Sequence, residues 1–437
     1  MSHKACMARR QRLLAHLASF GNGVAIVPTA PEQVRNRDTH HSYRFDSYFW
    51  YLTAFPEPEA VLVLVGDPVR PQSILFCREK DVEREVWDGF RYGPAAAQAA
   101  FGFDAAYPIA ELEQRLPDLL ANRDALWHSL GVAPAWDQRI GAVLNGLRGA
   151  ARKGQRPPRS VHDLYATLDA MRLIKDDSEA ALLRQSCQIA AAGHVAAMRA
   201  ARGGMAEYEL EAELSYLFRR RGADAHAYPP IVASGVNACI LHYTENNRLM
   251  GEHGLVLIDA GCEVQGYAAD ITRTFPVGGR FSGPQRECYE IVLAAQTAAF
   301  AVIRPGAAFI DYHDAAVRVL AQGMVDLGLL TGSVDGVIES EAYKRFYMHR
   351  TGHWLGLDVH DAGDYKDGDD WVKLAPGMAL TVEPGLYIPP AADVPVHLHG
   401  IGIRIEDDVL VTATGLENLT AAAPKTVAEI EEVMRHE

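Results

Sequence analysis

Strand-length apolar runs at residues 24–27, 60–65 and 73–76 alternate with segments of helical period, such as 110–120, over the first third of the chain. That mixture predicts a small mixed α/β domain. Ahead of it, residues 1–23 carry basic side chains on an amphipathic pattern that stops near Gly21. With no apolar core and cleavage site, a short helix is expected there rather than a signal peptide. The basic, proline-bearing stretch 152–159 interrupts the pattern as an exposed loop would. A second break falls at 175–179, where Ser178 is placed to cap a long helix through Leu182, Leu183, Ile189 and Val195. Between these signals the junction is expected near residue 173, giving domains 1–173 and 174–437.

The second domain reads as alanine- and leucine-rich helices at 207–221, 285–303 and 312–327, set between strand-like segments. Residues 255–275 and 379–411 echo each other. Each is two strand-like runs, and each run brings one acidic residue: Asp259 and Asp270 in the first pair, Glu383 and Glu406 in the second. Two related halves with a site between them would leave this trace. In IGIRIE, residues 401–406, alternation sets three isoleucines on one face and Arg404 with Glu406 on the other. In LTVEPG, residues 380–385, an apolar strand runs into a carboxylate and a turn. Four carboxylates therefore stand at or near strands that read as buried, and Arg404 alone cannot neutralise them.

Composition narrows the classes. A chain of 437 residues with 49% hydrophobic and 22% charged residues is globular and long enough for two domains. Its net charge of −14 disfavours nucleic acid or an anionic membrane as the main partner, since both need a basic footprint. The six cysteines are scattered without a Cys-x-x-Cys pair, as expected of reduced structural thiols. No run reaches membrane-span length, so a cytoplasmic location is expected.

A pair of divalent cations would make the carboxylates tolerable. Carboxylate oxygens with one imidazole suit Mn²⁺, Co²⁺, Fe²⁺ or Zn²⁺, and carboxylates shared between two ions build a hydrolytic two-metal site. The histidine-rich stretch 348–361, MHRTGHWLGLDVHD, supplies the imidazole. No His-Glu-x-x-His, Gly-x-Ser-x-Gly or phosphate-binding loop is present. Taken alone, Asp259 and Asp270 read as turn carboxylates and His353 as a core histidine; only the combination points to a metal.

From about residue 174 the strings IDAG, ADITRTFP, GHWLGLDVHD, PGMALTVEPG and GIGIRIED resemble the "pita-bread" metallopeptidases, the family of aminopeptidase P, prolidase and methionine aminopeptidase. Residues 45–60, FDSYFWYLTAFPEPEA, resemble the N-terminal domain of its aminopeptidase P members, which methionine aminopeptidases lack. The resemblance implies an α/β (α+β) chain: a mixed α/β domain, then a catalytic domain with a curved, mainly antiparallel sheet and pseudo-twofold halves. It implies two divalent ions, Mn²⁺ first with Co²⁺ or Zn²⁺ as alternatives. Asp259 would chelate one, Asp270 and Glu406 would bridge both, and His353 with Glu383 would complete the second. A water between the ions would be the nucleophile, and Glu383 would carry its proton to the leaving nitrogen.

Further roles follow by the same resemblance. His242, His349 and His360 would face the substrate, Arg404 with Tyr387 would orient Asp259, and Tyr228 would belong to a substrate-pocket strand. Asp38 and Trp87 would reach a neighbouring subunit's site in a homo-oligomer, a dimer or tetramer. The implied reaction releases the N-terminal residue from Xaa-Pro-peptides; a proline nitrogen has no N–H, which defeats proteases that must bind one. Three alternatives stay open: a prolidase cleaving Xaa-Pro dipeptides, a non-catalytic binding module on this fold, and a metal-free creatinase-like hydrolase. His226, His397 and His399 stand outside the matched positions, and the acidic run 364–370 reads as a solvated loop.

Overall fold

In the computed structural model, which describes residues 2–435, the chain divides into two units, Met1–Asp169 and Ala170–Glu437. The division falls inside the helix Leu164–Leu173, four residues ahead of the junction read from the sequence. The proline-bearing stretch 152–159 is an internal loop of the first unit, because the strand after it, Ser160–His162, pairs with Ala125–Trp127.

The first unit is built on a six-stranded mixed sheet in the order Ala105–Pro108, Gln72–Cys77, Val61–Gly66, Gly23–Pro28, Ala125–Trp127, Ser160–His162. Its middle strands are continuous apolar runs because both faces are covered. One face packs Val24, Ile26, Val63 and Phe76 against Leu112, Leu116, Leu120, Ile140 and Leu147 of two helices. The N-terminal helix His3–Ser19 lies against Val61–Gly66. Its basic residues serve neighbouring helices: Arg10 donates to the carbonyls of Leu52, Phe101 and Gly102, and Arg9 to that of Tyr51. A guanidinium at a helix C-terminus satisfies orphan carbonyls and opposes the helix dipole.

In the second unit the long helix Asp177–Ala200 is capped by Asp176, not by Ser178. The Asp176 side chain accepts from the Ser178 and Glu179 amides while Glu179 accepts from the Asp176 amide, so the 176–179 spacing closes a capping box and Ser178 falls inside the first turn. Helices Glu207–Arg220, Gly283–Val302 and Asp311–Asp326 match the periodic segments to within two residues. All strand pairs of this unit are antiparallel, but in place of a continuous sheet they form short ones. The two strand-like runs of 379–411 become four short strands, Ala379–Val382 and Gly385–Ile388, then Ile401–Arg404 and Asp407–Val411. At each break a carboxylate residue turns its amide out of the ladder: Glu383 N–H to Thr351 O at 2.8 Å, Glu406 N–H to Thr272 O at 3.0 Å.

A buried ion cluster fixes the histidine-rich segment. Asp361 binds Arg172 at 2.5 Å and Lys175 at 3.0 Å, with all three side chains almost fully buried. Burial would raise the Asp361 carboxyl, but the Lys175 and Arg172 charges outweigh it and hold it below the usual range. Its stabilising contribution is therefore complete above the ordinary aspartate pKa and drains away as pH falls through the depressed native value. Asp361→Ala, which leaves Lys175 without its buried counter-ion and Arg172 with the part-exposed Asp358, is expected to cost about 3 kcal/mol in a denaturant titration at neutral pH. The gap between variant and wild type should narrow in acid.

Candidate active site

Asp259 ends the strand Leu255–Asp259, and Asp270 returns two residues ahead of Thr272–Pro276. Between them a β-carbon on Gly261 would collide with Ala269 O, so only glycine lets the two segments close up. The Asp270 amide is held at 2.8 Å by Asp408 Oδ2. His353 is set by the pairing of its backbone with Thr381, again at a glycine, since a β-carbon on Gly352 would strike Thr381 O. Its Nδ1 donates to Trp354 O at 2.9 Å, which turns Nε2 toward the carboxylates.

One ligand atom each from Asp270, His353 and Glu406 lie within 4.8 Å of one another. His353 Nε2 is 3.4 Å from Asp270 Oδ2 and 3.7 Å from Glu383 Oε1. Tyr228 Oη bridges Asp259 Oδ1 at 2.6 Å and Asp270 Oδ1 at 2.5 Å. Arg404 pairs with Asp259 at 2.6 Å, and its Nε donates to Thr272 Oγ1 at 3.1 Å, which in turn donates to Glu406 at 2.6 Å. Three of the five candidate ligands, Asp270, His353 and Glu406, thus meet in one cluster, and Asp259 and Glu383 flank it through Tyr228 and His353. The group forms part of the lining of a cleft of about 570 Å³, with His242, His349, His360 and Arg404 beside it.

The electrostatics are those of a site short of positive charge. Burial, reinforced by Asp270, Glu383 and Asp259, pushes Glu406 well above the carboxylate range. Burial also lifts Glu383 to about 7 and raises Asp259, against the opposing charge of Arg404. Burial would lower His353, yet Asp270 and Glu383 outweigh it and take the imidazole to about 9; the same contact holds Asp270 down despite its own burial. Oxygen and imidazole donors, no thiolate, and excess buried negative charge fit a hard or borderline divalent cation. Burial and then Arg404 lower His349 to about 3, and burial and then His353 lower His360, so both rings are neutral hydrogen-bonding groups near pH 7.

Residues 181–413 match metallopeptidase family M24, and residues 6–127 match the aminopeptidase P N-terminal domain. The chain belongs to metallopeptidase family M24. This M24 chain is 45% identical to the Xaa-Pro aminopeptidase of Escherichia coli, over 99% of its own length and 98% of that protein's. The solved structure of Pseudomonas aeruginosa aminopeptidase PepP superposes with a TM-score of 0.97 at 50% identity, covering 99% of this chain and 98% of that one. Zinc-substituted E. coli aminopeptidase P in complex with product gives a TM-score of 0.96 at 45% identity, with the same coverage.

Several side chains of this M24 chain sit differently from the sequence reading. Tyr228, read as part of a substrate-pocket strand, has its hydroxyl committed to two carboxylates, while Tyr387, read as the partner of Arg404, accepts from Arg404 at 3.0 Å and also meets His349 at 2.8 Å. Both act on the groups that hold the site. Arg404 reaches Glu406 through Thr272 rather than directly, and its own ion pair is with Asp259. The acidic run 364–370 is more than a solvated loop, since Tyr365 and the adjoining Trp371 line the cleft with Phe309, Tyr312 and His313. His226 bonds Ser215 and His399 bonds Val394 O, away from the cluster. Asp38 lies exposed between strands Val34–Asn36 and Thr39–His40, and Trp87 is 85% exposed; both belong to the first unit.

Thr272 and Asp408 were missed. Each had a weak signal, Thr272 inside ADITRTFP and Asp408 in the acidic run after Ile405, but neither residue type announces a supporting role. Asp270→Ala and Glu406→Ala are expected to lose both bound metal, read by elemental analysis, and peptide turnover. Thr272→Val keeps the shape and removes the hydroxyl between Arg404 and Glu406; metal affinity should fall about 10- to 100-fold.

Proposed function

We propose that the chain is a metal-dependent aminopeptidase releasing the N-terminal residue from peptides with proline in second place. The observation that carries this reading is the convergence of Asp270, His353 and Glu406 on the wall of a cleft that the neutral imidazoles of His349 and His360 also line. Two divalent ions are the proposed occupants, Mn²⁺ first, held by Asp259, Asp270, His353, Glu383 and Glu406. When bound, such ions supply a nucleophilic water at neutral pH and polarise the scissile carbonyl.

The chain's own groups do the rest. Glu383, with its carboxylate 3.7 Å from both His353 and His349, holds the proton taken from the attacking water and delivers it to the proline nitrogen. His242, His349 and His360 offer hydrogen bonds to the substrate carbonyls as negative charge develops on them. Arg404, tied to Tyr387 and Asp259, opposes the rise that burial imposes on Asp259 and aims its carboxylate. Because the proline nitrogen carries no N–H, this scheme asks for no hydrogen bond from it.

Likeness to Xaa-Pro aminopeptidases over 99% of the chain favours this reading over a dipeptidase. The intact donor set speaks against a binding module or a metal-free hydrolase. A homo-oligomer, with Asp38 and Trp87 acting on a neighbouring copy's site, is part of the proposal; the exposed apolar group Val82, Val86, Trp87 and Phe90 supports a covered face there. Among the described residues no helix is long and apolar enough to cross a membrane, and a cytoplasmic location is proposed.

The deciding experiment restores Mn²⁺, Co²⁺ or Zn²⁺ in turn to metal-stripped protein and offers an Xaa-Pro-Yaa tripeptide, the Xaa-Pro dipeptide and an Xaa-Ala-Yaa control. Metal-dependent cleavage of the first, with the others largely spared, is expected. Preference for the dipeptide would make the enzyme a prolidase, and no cleavage with any ion would refute the reading.

A further inference from the structure

Arg350 stands beside the substrate-facing His349, lines the same cleft, and is exposed. Its guanidinium lies 5.8 Å from the ring centre of Trp371, itself a cleft residue, with Lys366 Nζ 4.9 Å from the same ring. Among the described residues no carboxylate comes within ion-pair distance of Arg350, although Asp314 feels its charge. The position is therefore a cation resting on an aromatic face, presented to the cleft and left without an anion. The acidic cluster around Asp270 and this basic edge give the cleft opposite polarities along one lining. A peptide lying in it has a matching polarity, with a free amino group at the end to be released and carboxylates downstream. Arg350 is three residues from His353, no more than roughly 11 Å of extended chain, which is the span of a tripeptide.

We propose that Arg350 is a specificity-determining residue that recognises a carboxylate of the peptide downstream of the scissile bond. The carboxylate is either the C-terminus of a short peptide or an acidic side chain following proline. A guanidinium suits this because its planar fork can take both oxygens of a carboxylate, and Trp371 limits the directions in which the fork can point. The inference rests on the aminopeptidase reading given above.

The test compares wild type, Arg350→Gln and Arg350→Lys, each Mn²⁺-loaded, on alanyl-prolyl-alanine, its C-terminal amide, and alanyl-prolyl-glutamic acid α-amide, whose side-chain carboxylate is its one free carboxylate. Wild type should show a KM about five-fold lower for the better of the two carboxylate-bearing peptides than for the uncharged amide, the size of one partly exposed charge pair. High salt should shrink the difference. Arg350→Gln should level it, and Arg350→Lys should keep part of it. A preference for the free C-terminus or for the glutamate side chain assigns which carboxylate is read. Equal KM values in wild type, discrimination surviving in Arg350→Gln, or a uniform fall in kcat on all three peptides would overturn the role of Arg350. Wild type cleaving none of them would refute the aminopeptidase reading itself.

Discussion

The burial of like charges at Asp259, Asp270, Glu383 and Glu406 is the constraint around which the second unit is organised. Removing one carboxylate from water without compensation costs several kcal/mol, and neighbouring carboxylates add repulsion to that cost. Arg404 meets Asp259, and His353 meets Asp270, yet Glu383 and Glu406 remain raised toward their protonated forms. The unmet charge is the source of metal affinity: a divalent cation exchanges repulsion for coordination, and the fold holds the donors in place beforehand.

That arrangement needs a layer of support that is itself balanced. Just behind the candidate ligands, Asp407 is fully buried but paired with Arg273 and Lys425, which hold it below the ordinary range. Arg273 also donates to Glu406 O, and Thr274 exchanges hydrogen bonds with the Arg404 backbone. Strands of the two acidic halves are thus tied to each other beside the donors. Asp408 holds the Asp270 amide in turn, and burial with the nearby Asp270 charge pushes its own carboxyl up. Charge that is matched in the supporting layer and unmatched in the inner one keeps the site stiff while leaving it in want of a cation.

The same contrast extends across the cleft. His349 and His360 are kept neutral by burial and by neighbouring positive charge, so they serve as hydrogen-bonding groups without adding to the charge balance. The aromatic side chains Phe309, Tyr312, Tyr365 and Trp371 line another part of the same space. Pairing a polar reacting end with an apolar wall is what a site for short peptides requires, since the wall excludes water and the polar groups orient the backbone.

The identity and order of the candidate donors were legible in the sequence, as were the helices around them, because these depend on local pattern: apolar period, turn-forming glycines, and carboxylates at the ends of apolar runs. Even the misplaced cap at Ser178 was a local matter, decided by the Glu179 spacing that selects Asp176. What only the tertiary structure decided is which distant groups meet. Tyr228 lies 31 and 42 residues from the carboxylates it joins, and Arg273 lies 134 residues from Asp407. Such pairings leave no periodic trace, since a hydrogen bond across the fold constrains the two residues it joins and nothing between them. The strand break at Glu406 belongs to the same class. Its amide leaves the ladder for Thr272, a partner that only the assembled unit brings within reach.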